Sequence, residues 1–566
     1  MRSILVLGVL LTLSGCSQAP DPLTNKETPG SDTARQRPNV VVIVVDDIGY
    51  TDLGFNGSEI RTPNIDALAR EGVYLDTFYA APTCSPTRSM LLSGVDNHLA
   101  GLGTMDGRQT PEQEGVPGYL GMLNHQVAAL PELMKAGGYN TYMTGKWHLG
   151  KTDDTIPPAR GFDRSFSLLD GGAGAFSNML QLYGPNKASY LDDTDVVESL
   201  PDDFYSSRFY TRKMIEYIES DRSSNKPFFA YLSYTSAHWP LQAPAQSISR
   251  YAGVYDAGYD ALREQRLDRI KQLGLVPENT EPFPRLDDWV SWNDLSADQQ
   301  AYESKRMSIY AAMIDDLDGY VGEFVDYLKS TGEYENTLIF FMSDNGPEGN
   351  EVSYLRARVP GCCDNSYENI GNPDSYIWLG PEWAQAVDPP RRMYKAYVSD
   401  GGIRVPAFFH YPKRFASGVR SPAMTHVTDI VPTILEVTGV SAAVDGIFDG
   451  RKVEPIQGQS LLPLLTGESD HVHAADKAFG FEMFGRRAIR QGNWKAVYLK
   501  SFERRTSVVP DIVKLDQWQL YNLADDPAEA VDLAERYPEK LAALLEEWDK
   551  YVETNRVILA EGAESY

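Results

Sequence analysis

The chain has 566 residues, 42% of them hydrophobic and 23% charged, which excludes a disordered chain and allows a sizeable buried core. Fifty-two basic residues against 79 acidic ones give a net charge of −27, which excludes a general nucleic-acid binder, because phosphate recognition needs a basic face. Long-range steering of polyanions is disfavoured too, although one buried basic pocket still suits a single anion.

The chain starts MRSILVLGVLLTLSGCSQ. Arg2 precedes an apolar run from Ile4 to Leu13, too short to span a bilayer comfortably. Small residues follow, and Leu13-Ser14-Gly15-Cys16 resembles the lipobox of a bacterial lipoprotein signal. The resemblance implies cleavage after residue 15, lipid on the sulfur of Cys16 and a membrane anchor on the periplasmic side or cell surface. Plain secretion with cleavage nearby is the alternative. Residues 16–37 are polar and rich in Pro, Thr, Asp and Gln, as in a flexible tether. No later stretch is long and apolar enough to be transmembrane.

Asn39 to Val45 (NVVVIVV) reads as a strand buried on both faces, as in a parallel sheet, and ends in Asp46-Asp47. Thr62-Pro63 opens a capped helix. The periodicity predicts a helix over 127–136, and a strand over 139–144 leads into Gly145-Lys146-Trp147-His148. Another strand over 227–234 ends near His238. A long amphipathic helix over 307–328 precedes a strand over 337–342, which ends in Ser343-Asp344-Asn345-Gly346. This alternation indicates an α/β fold, a mostly parallel sheet with helices on both faces. The polar segment 251–300 reads as an insertion shaping a substrate cleft or as a solvated surface excursion. Beyond about Gly450, strands near 487–490, 494–498 and 518–521 and a helix over 533–552 suggest a smaller α+β subdomain. The expected organisation is a leader over 1–15, a tether over 16–37, a main domain over 38–450 and the subdomain over 451–566. No repeat of solenoid type is present.

Two strands thus end in paired oxygen donors, Asp46-Asp47 and Asp344-Asn345. Ligands gather at the carboxyl ends of strands in open parallel sheets, and four hard-oxygen side chains there suit Ca²⁺ or Mg²⁺. No adjacent His supports zinc. Singly, each pair reads first as turn chemistry. Pro86 belongs in a first helical turn, so Cys84 sits at a helix N-terminus with Arg88 on the same side. Dipole and guanidinium both favour an anion near residue 84, although an isolated Cys there reads first as a buried structural residue. Lys146 and His148 are two apart, so an extended segment would point them to one side. The four cysteines, Cys16, Cys84, Cys362 and Cys363, form no CxxC pair, and the eight histidines are scattered, so no zinc cluster is indicated. Cys362-Cys363 is either a vicinal disulfide or two free thiols. His426 belongs to a helix start and is assigned no chemistry.

Cys84-Ser85-Pro86-Thr87-Arg88 followed by Leu91-Leu92-Ser93-Gly94 resembles the Cys-type signature of the formylglycine-dependent sulfatases. The flanking motifs fit the same family: Asp46-Asp47, Lys146-Trp147-His148, the His238 loop, Asp344-Asn345-Gly346, and Lys395 ahead of Gly401-Gly402-Ile403-Arg404-Val405-Pro406. They run from about residue 38 to 532. Asp364-Asn365-Ser366 with Tyr376-Ile377-Trp378, and His98-Leu99-Ala100-Gly101, resemble the bacterial arylsulfatase branch. In that branch His98 would line the pocket; a structural role is the alternative.

The resemblance implies an alkaline-phosphatase-like fold, with a large mixed sheet sandwiched by helices, and a sulfuric ester hydrolase. It implies oxidation of Cys84 to Cα-formylglycine by a maturation enzyme, and a cation, Ca²⁺ ahead of Mg²⁺, held by Asp46, Asp47, residue 84, Asp344 and Asn345. Arg88 would stabilise the nucleophile, and Lys146 would neutralise sulfate oxygens. His148 would take a proton to restore the aldehyde, and His238 with Lys395 would meet the bridging oxygen. The implied partners are a sulfate ester, the maturation enzyme and a membrane through Cys16. A phosphonate monoester or phosphodiester hydrolase of the same superfamily stays open, as does a catalytically inactive glycan-binding lipoprotein.

Overall fold

The computed structural model describes residues 37–184, 186–286, 289–356, 362–500 and 513–559. The expected leader, most of the tether and Cys16 lie outside the described residues. β1 (Asn39–Val45) is buried at every position, because it is flanked on both edges and covered on both faces. Val41, Ile43 and Val45 enter one hydrophobic core, and Val40, Val42 and Val44 enter the other. This is the period-two alternation of a strand, with apolar residues on both sides because both sides are covered. The long helix Ala297–Ser330 covers the first face through Met307, Ile314, Leu317 and Val321. Met90, Leu91 and Leu92, with Ile430 and Val431, cover the second.

The remaining strands of the main sheet are β2 (Val73–Tyr79), β3 (Asn140–Lys146), β4 (Arg164–Leu168), β5 (Tyr190–Asp192), β6 (Asp195–Val196), β7 (Phe228–Ser233), β8 (Thr337–Ser343), β9 (Ala407–His410) and β10 (Val419–His426). Among the described residues the ten strands run in the order β10-β2-β9-β8-β1-β7-β3-β4-β5-β6. The central five, β8-β1-β7-β3-β4, are mutually parallel, while β9 pairs antiparallel with both β2 and β8. The α/β expectation therefore holds: a mixed sheet with a parallel centre, sandwiched by helices.

Several boundaries differ from the sequence expectation. The helix expected over 127–136 starts at Leu130, because Pro131 takes its first turn. β3 runs two residues further than expected, which places Lys146 on the strand itself. Thr62 flanks the helix Pro63–Glu71 without capping it; its hydroxyl donates to Asp66 and accepts from the Gly54 N–H. Within 251–300 lies the helix Gly258–Gln272, whose Arg266 is fully buried against Asp52 and Glu59. Tyr259, Trp292 and Trp383 meet edge-on beside it, so one face of the segment is packed into the core while much of the rest is exposed.

After the hairpin β11 (Ile447–Phe448) and β12 (Arg451–Lys452), the chain forms a second, antiparallel sheet, β13 (Ala478–Met483), β14 (Arg486–Gln491), β15 (Trp494–Tyr498) and β16 (Trp518–Asn522). β13 was not anticipated. The terminal helix is Pro538–Asn555, later than expected because Pro538 starts it, and it packs through Leu544 and Trp548. No helix among the described residues is long and apolar enough to cross a membrane.

Candidate active site

β1 and β8 lie in register with Val45 opposite Ser343, so the residues that follow leave the sheet side by side. Asp46 and Asp47 exit one strand, Asp344 and Asn345 the other. Asp47 adopts the left-handed conformation at φ 62°, which a non-glycine residue takes at a cost of about 1 kcal/mol or more. Cys84 opens the helix Cys84–Ser93 directly opposite, its Sγ 3.5 Å from Asp46 Oδ1 and 4.0 Å from Asp47 Oδ1. One ligating atom from each of Asp46, Asp47, Cys84 and Asp344 falls within 4.8 Å of the others. Asn345 donates from Nδ2 to Asp47 and to the Gly346 carbonyl, leaving its own Oδ1 buried with no hydrogen-bond partner. An orphaned amide oxygen beside three carboxylates fits a hard divalent cation.

Three buried cations face these carboxylates. Arg88 makes two bonds to Asp344 Oδ2, at 2.9 and 2.8 Å, and its Nη1 donates to the Lys146 carbonyl at 3.1 Å and to Ser233 Oγ. Lys146 Nζ donates to Asp46 Oδ2 at 2.6 Å, and Lys395 Nζ to Asp47 Oδ2 at 2.8 Å. Charges removed from water require such pairing. A dication added to this balanced set leaves the pocket cationic, which suits an anionic ester.

The two histidines close the pocket. His148 stands at φ 55°, so the Lys146–His148 segment is not extended as expected. The turn begins at Gly145, φ 105°, where a Cβ would collide with the Ser233 carbonyl oxygen. His148 and His238 both pack on the consecutive glycines Gly171 and Gly172. A Cβ on Gly171 would lie 2.8 Å from His148 Cε1 and Nε2, and one on Gly172 would lie 3.0 Å from His238 Nδ1. His238 Nδ1 is 2.6 Å from the Trp239 carbonyl, which can only accept, so Nδ1 carries a proton. Its Nε2 turns toward the carboxylates, 3.6 Å from Asp47 Oδ2.

Burial dominates the protonation equilibria. Burial, reinforced by the Lys146, Arg88 and Lys395 charges, holds His148 well below the usual imidazole range. Burial and then Lys395 do the same at His238. Burial pushes the Cys84 thiol far up, so an unmodified Cys84 is a poor nucleophile. Asp47 is pushed up to about 6 by burial, against the pull of Lys395. Burial opposes the charge on Lys146, but the anionic groups around it, Asp46 first and Asp344 among them, together outweigh burial and raise the pKa.

The structure thus brings together all ten candidate positions that it describes: Asp46, Asp47, Cys84, Arg88, Lys146, His148, His238, Asp344, Asn345 and Lys395. His98 is not with them. It is buried between Asp96, at 2.7 Å, and Glu482, at 3.1 Å, and ties the main domain to β13. The sulfurs of Cys362 and Cys363 are brought together, and the pair packs against the apolar cluster of Trp239 and Tyr376. His426 accepts from the Thr428 N–H at a helix start, as expected. Sequence reasoning missed Gly171-Gly172, Ser233, Trp239 and Glu348. Their only signal is position: Gly171-Gly172 follow β4, Ser233 ends β7, Trp239 is next to His238, and Glu348 lies two residues past Asp344-Asn345-Gly346.

The Sulfatase family matches residues 38–440, and the N-sulphoglucosamine sulphohydrolase C-terminal family matches residues 391–554. An uncharacterized sulfatase of Schizosaccharomyces pombe is 42% identical over 541 residues, covering 93% of this chain and 95% of that protein. An arylsulfatase of Klebsiella aerogenes is 38% identical, covering 73% of this chain and 89% of its own length. A protein crystallised with k-i-k-neocarrahexaose shares the fold at TM-score 0.64 and 24% identity, over 94% of this chain and 96% of that one. A protein solved with its substrate D-glucosamine-2-N,6-O-disulfate shares it at TM-score 0.60 and 19% identity, over 92% of this chain and 98% of that one. Family match and relatives spanning nearly the whole chain agree with the geometry at the ends of β1 and β8: the chain belongs to the sulfatase family and is a sulfuric ester hydrolase of the arylsulfatase type.

Proposed function

We propose that the protein is an exported, lipid-anchored sulfatase that cleaves a sulfate ester to an alcohol or phenol and inorganic sulfate, with Cα-formylglycine at position 84. One observation carries the mechanism: residue 84 meets three carboxylates, an orphaned Asn345 oxygen, three buried cations and two imidazoles at one point. Asp46, Asp47, Asp344 and Asn345 would hold the cation. Ca²⁺ suits this all-protein oxygen cage better than Mg²⁺, which usually keeps several waters. Formylglycine at position 84, as its hydrate, would supply the attacking oxygen, and a cation held by Asp46, Asp47, Asp344 and Asn345 would supply Lewis acidity beside it.

Arg88 stabilises negative charge at residue 84, across from the Asp344 carboxylate that holds its guanidinium. Lys146 neutralises the non-bridging ester oxygens. His148, kept neutral by burial and three neighbouring cations, accepts the proton released when sulfate departs. His238 faces the bridging oxygen. Because its Nδ1 proton is held by the Trp239 carbonyl, the proton it gives the leaving alcohol comes from Nε2, so it must act as imidazolium; burial and Lys395 oppose that charge in the free site, and the negative charge of the bound ester favours it. Lys395 balances charge on the same side. Export and lipid on Cys16 are supported by the leader sequence, and maturation by the Cys84 signature, which calls for a formylglycine-generating partner.

Turnover of 4-nitrophenyl sulfate, a phosphodiester and a phosphonate monoester, alongside the mass of the residue-84 peptide, tests this reading. We expect formylglycine at position 84, preference for the sulfate, and loss of at least about 10³-fold in kcat for Cys84→Ala with an unchanged fold. A higher kcat/KM on the phosphonate would assign the protein to the related hydrolases instead. An unmodified thiol in protein from its native host would favour the inactive glycan-binding alternative.

A further inference from the structure

Glu348 is a buried carboxylate that the chemistry above does not use. Only 3% of the residue is exposed, and it stands outside the set of converging metal-ligating atoms. It lies on the loop after β8, three residues beyond Asn345. Its Oε1 accepts from the backbone N–H and the side-chain amide of Asn350, at 2.8 and 2.6 Å. Asn350 in turn donates to the Lys395 carbonyl at 3.0 Å. The other oxygen, Oε2, lies 3.5 Å from Lys395 Nζ and 3.4 Å from Trp239 Nε1.

These contacts give the Lys395 loop and the His238–Trp239 segment a second link besides Asp47 Oδ2, which both Lys395 and His238 face. The Lys395 ammonium sits between Asp47, which follows β1, and Glu348, which follows β8. The Trp239 indole stacks on the His238 ring, with centroids 5.0 Å apart and planes 28° apart, and the Trp239 carbonyl fixes His238 Nδ1. One carboxylate therefore touches the cation and the aromatic plane that set the two groups facing the leaving oxygen. A carboxylate taken out of water is costly to retain, and an apolar loop fastener would serve packing equally well. Its charge is explained by the ammonium it faces.

We infer that Glu348 is a positioning residue for the leaving-group side of the site, holding Lys395 and the His238–Trp239 pair in the arrangement that protonates the departing oxygen; this rests on the sulfatase reading above. A group of this kind matters more as the leaving oxygen becomes more basic, because proton donation then carries more of the barrier. A residue that only fastened the loop would slow every ester by the same factor.

The test compares 4-nitrophenyl sulfate with 4-methylphenyl sulfate, whose phenol is the more basic. Glu348→Gln preserves shape and removes charge. We expect kcat to fall about 10-fold on the nitrophenyl ester and about 100-fold on the methylphenyl ester, with KM within about threefold on both. Cation content and formylglycine content should match the wild type. Trp239→Phe keeps the stacked ring, removes the N–H donor and should show the same selectivity in weaker form; it carries the test if Glu348→Gln does not fold. Equal losses on both esters, a loss confined to KM, or no loss overturns the proposal. Wild-type enzyme inactive on both esters overturns the sulfatase reading, and this one with it.

Discussion

At the scale of single residues, the site is set as much by missing atoms as by reactive ones. A methyl group on Gly171 would press on His148 Cε1 and Nε2 at 2.8 Å, closer than side-chain carbons ordinarily approach. Gly171 shows no left-handed φ, so alanine there meets no backbone penalty, and the ring is what must move. A displacement near 1 Å at a catalytic group costs about 10²-fold in rate. Gly171→Ala should therefore lower kcat about 10²-fold while costing only about 1–3 kcal/mol in stability. Steady-state kinetics with a thermal melt on the same sample checks this, and an unchanged kcat would show that His148 has room to spare. The same reasoning explains the failed expectation of an extended Lys146–His148 segment. Gly145 at φ 105° bends the chain where any side chain would strike Ser233, and that bend carries His148 over the glycine pair.

At the scale of elements, legibility followed burial and pattern. β1, β7 and β8 are uninterrupted apolar runs because their neighbours cover both faces, so the sequence betrays them, and with them the acidic pairs at their ends. β10 (VRSPAMTH) carries Pro422, a register shift and several exposed or half-buried residues, and no period marks it as a strand. β13 is half-exposed over its first three residues and was equally silent. Motif residues of the site were legible since they carry chemistry in contiguous strings; Glu348 and Ser233 act through another residue and leave no such string. His98, on the short helix Asn97–Ala100, shows what a motif match alone cannot assign. Burial opposes its charge, but Asp96 and Glu482 outweigh burial and push it up to about 9. The unfolded value is near 6.5, so the charged form stabilises the fold fully below about pH 6.5 and progressively less as pH rises through 9. That gap corresponds to about 3 kcal/mol. The stability advantage of wild type over His98→Gln in urea should be large at pH 6 and mostly gone at pH 9.5. An advantage independent of pH would mean that His98 is held neutral.

At the scale of the whole molecule, the C-terminal subdomain acts on the active site without entering it. The loop carrying Lys395 is held by residues from the second sheet. Arg486 on β14 donates to the Ala396 carbonyl at 2.5 Å, and Arg392 reaches Gln519 and Tyr521 on β16 at 2.8 and 2.7 Å. Lys495 on β15 pairs with Asp400 at 2.7 Å and Glu529 at 2.8 Å, while Glu529 also accepts from the Asp400 N–H. All three side chains are almost completely buried, so the triad resists substitution asymmetrically. Lys495→Met would take the ammonium from both carboxylates, leaving Asp400 the Tyr79 hydroxyl and Arg404 at 3.9 Å, and should cost about 3–5 kcal/mol. Adding Asp400→Asn and Glu529→Gln removes the stranded charges and should restore most of that loss. Because the triad braces the stretch between Lys395 and β9, activity and structure should be followed together in urea. The Lys495→Met midpoint for activity should fall at least as far as that for circular dichroism, and the neutral triple variant should bring both back. A Lys495→Met protein within about 1 kcal/mol of wild type would mean that water reaches Asp400 and Glu529, and that the subdomain does not hold the Lys395 loop through this triad.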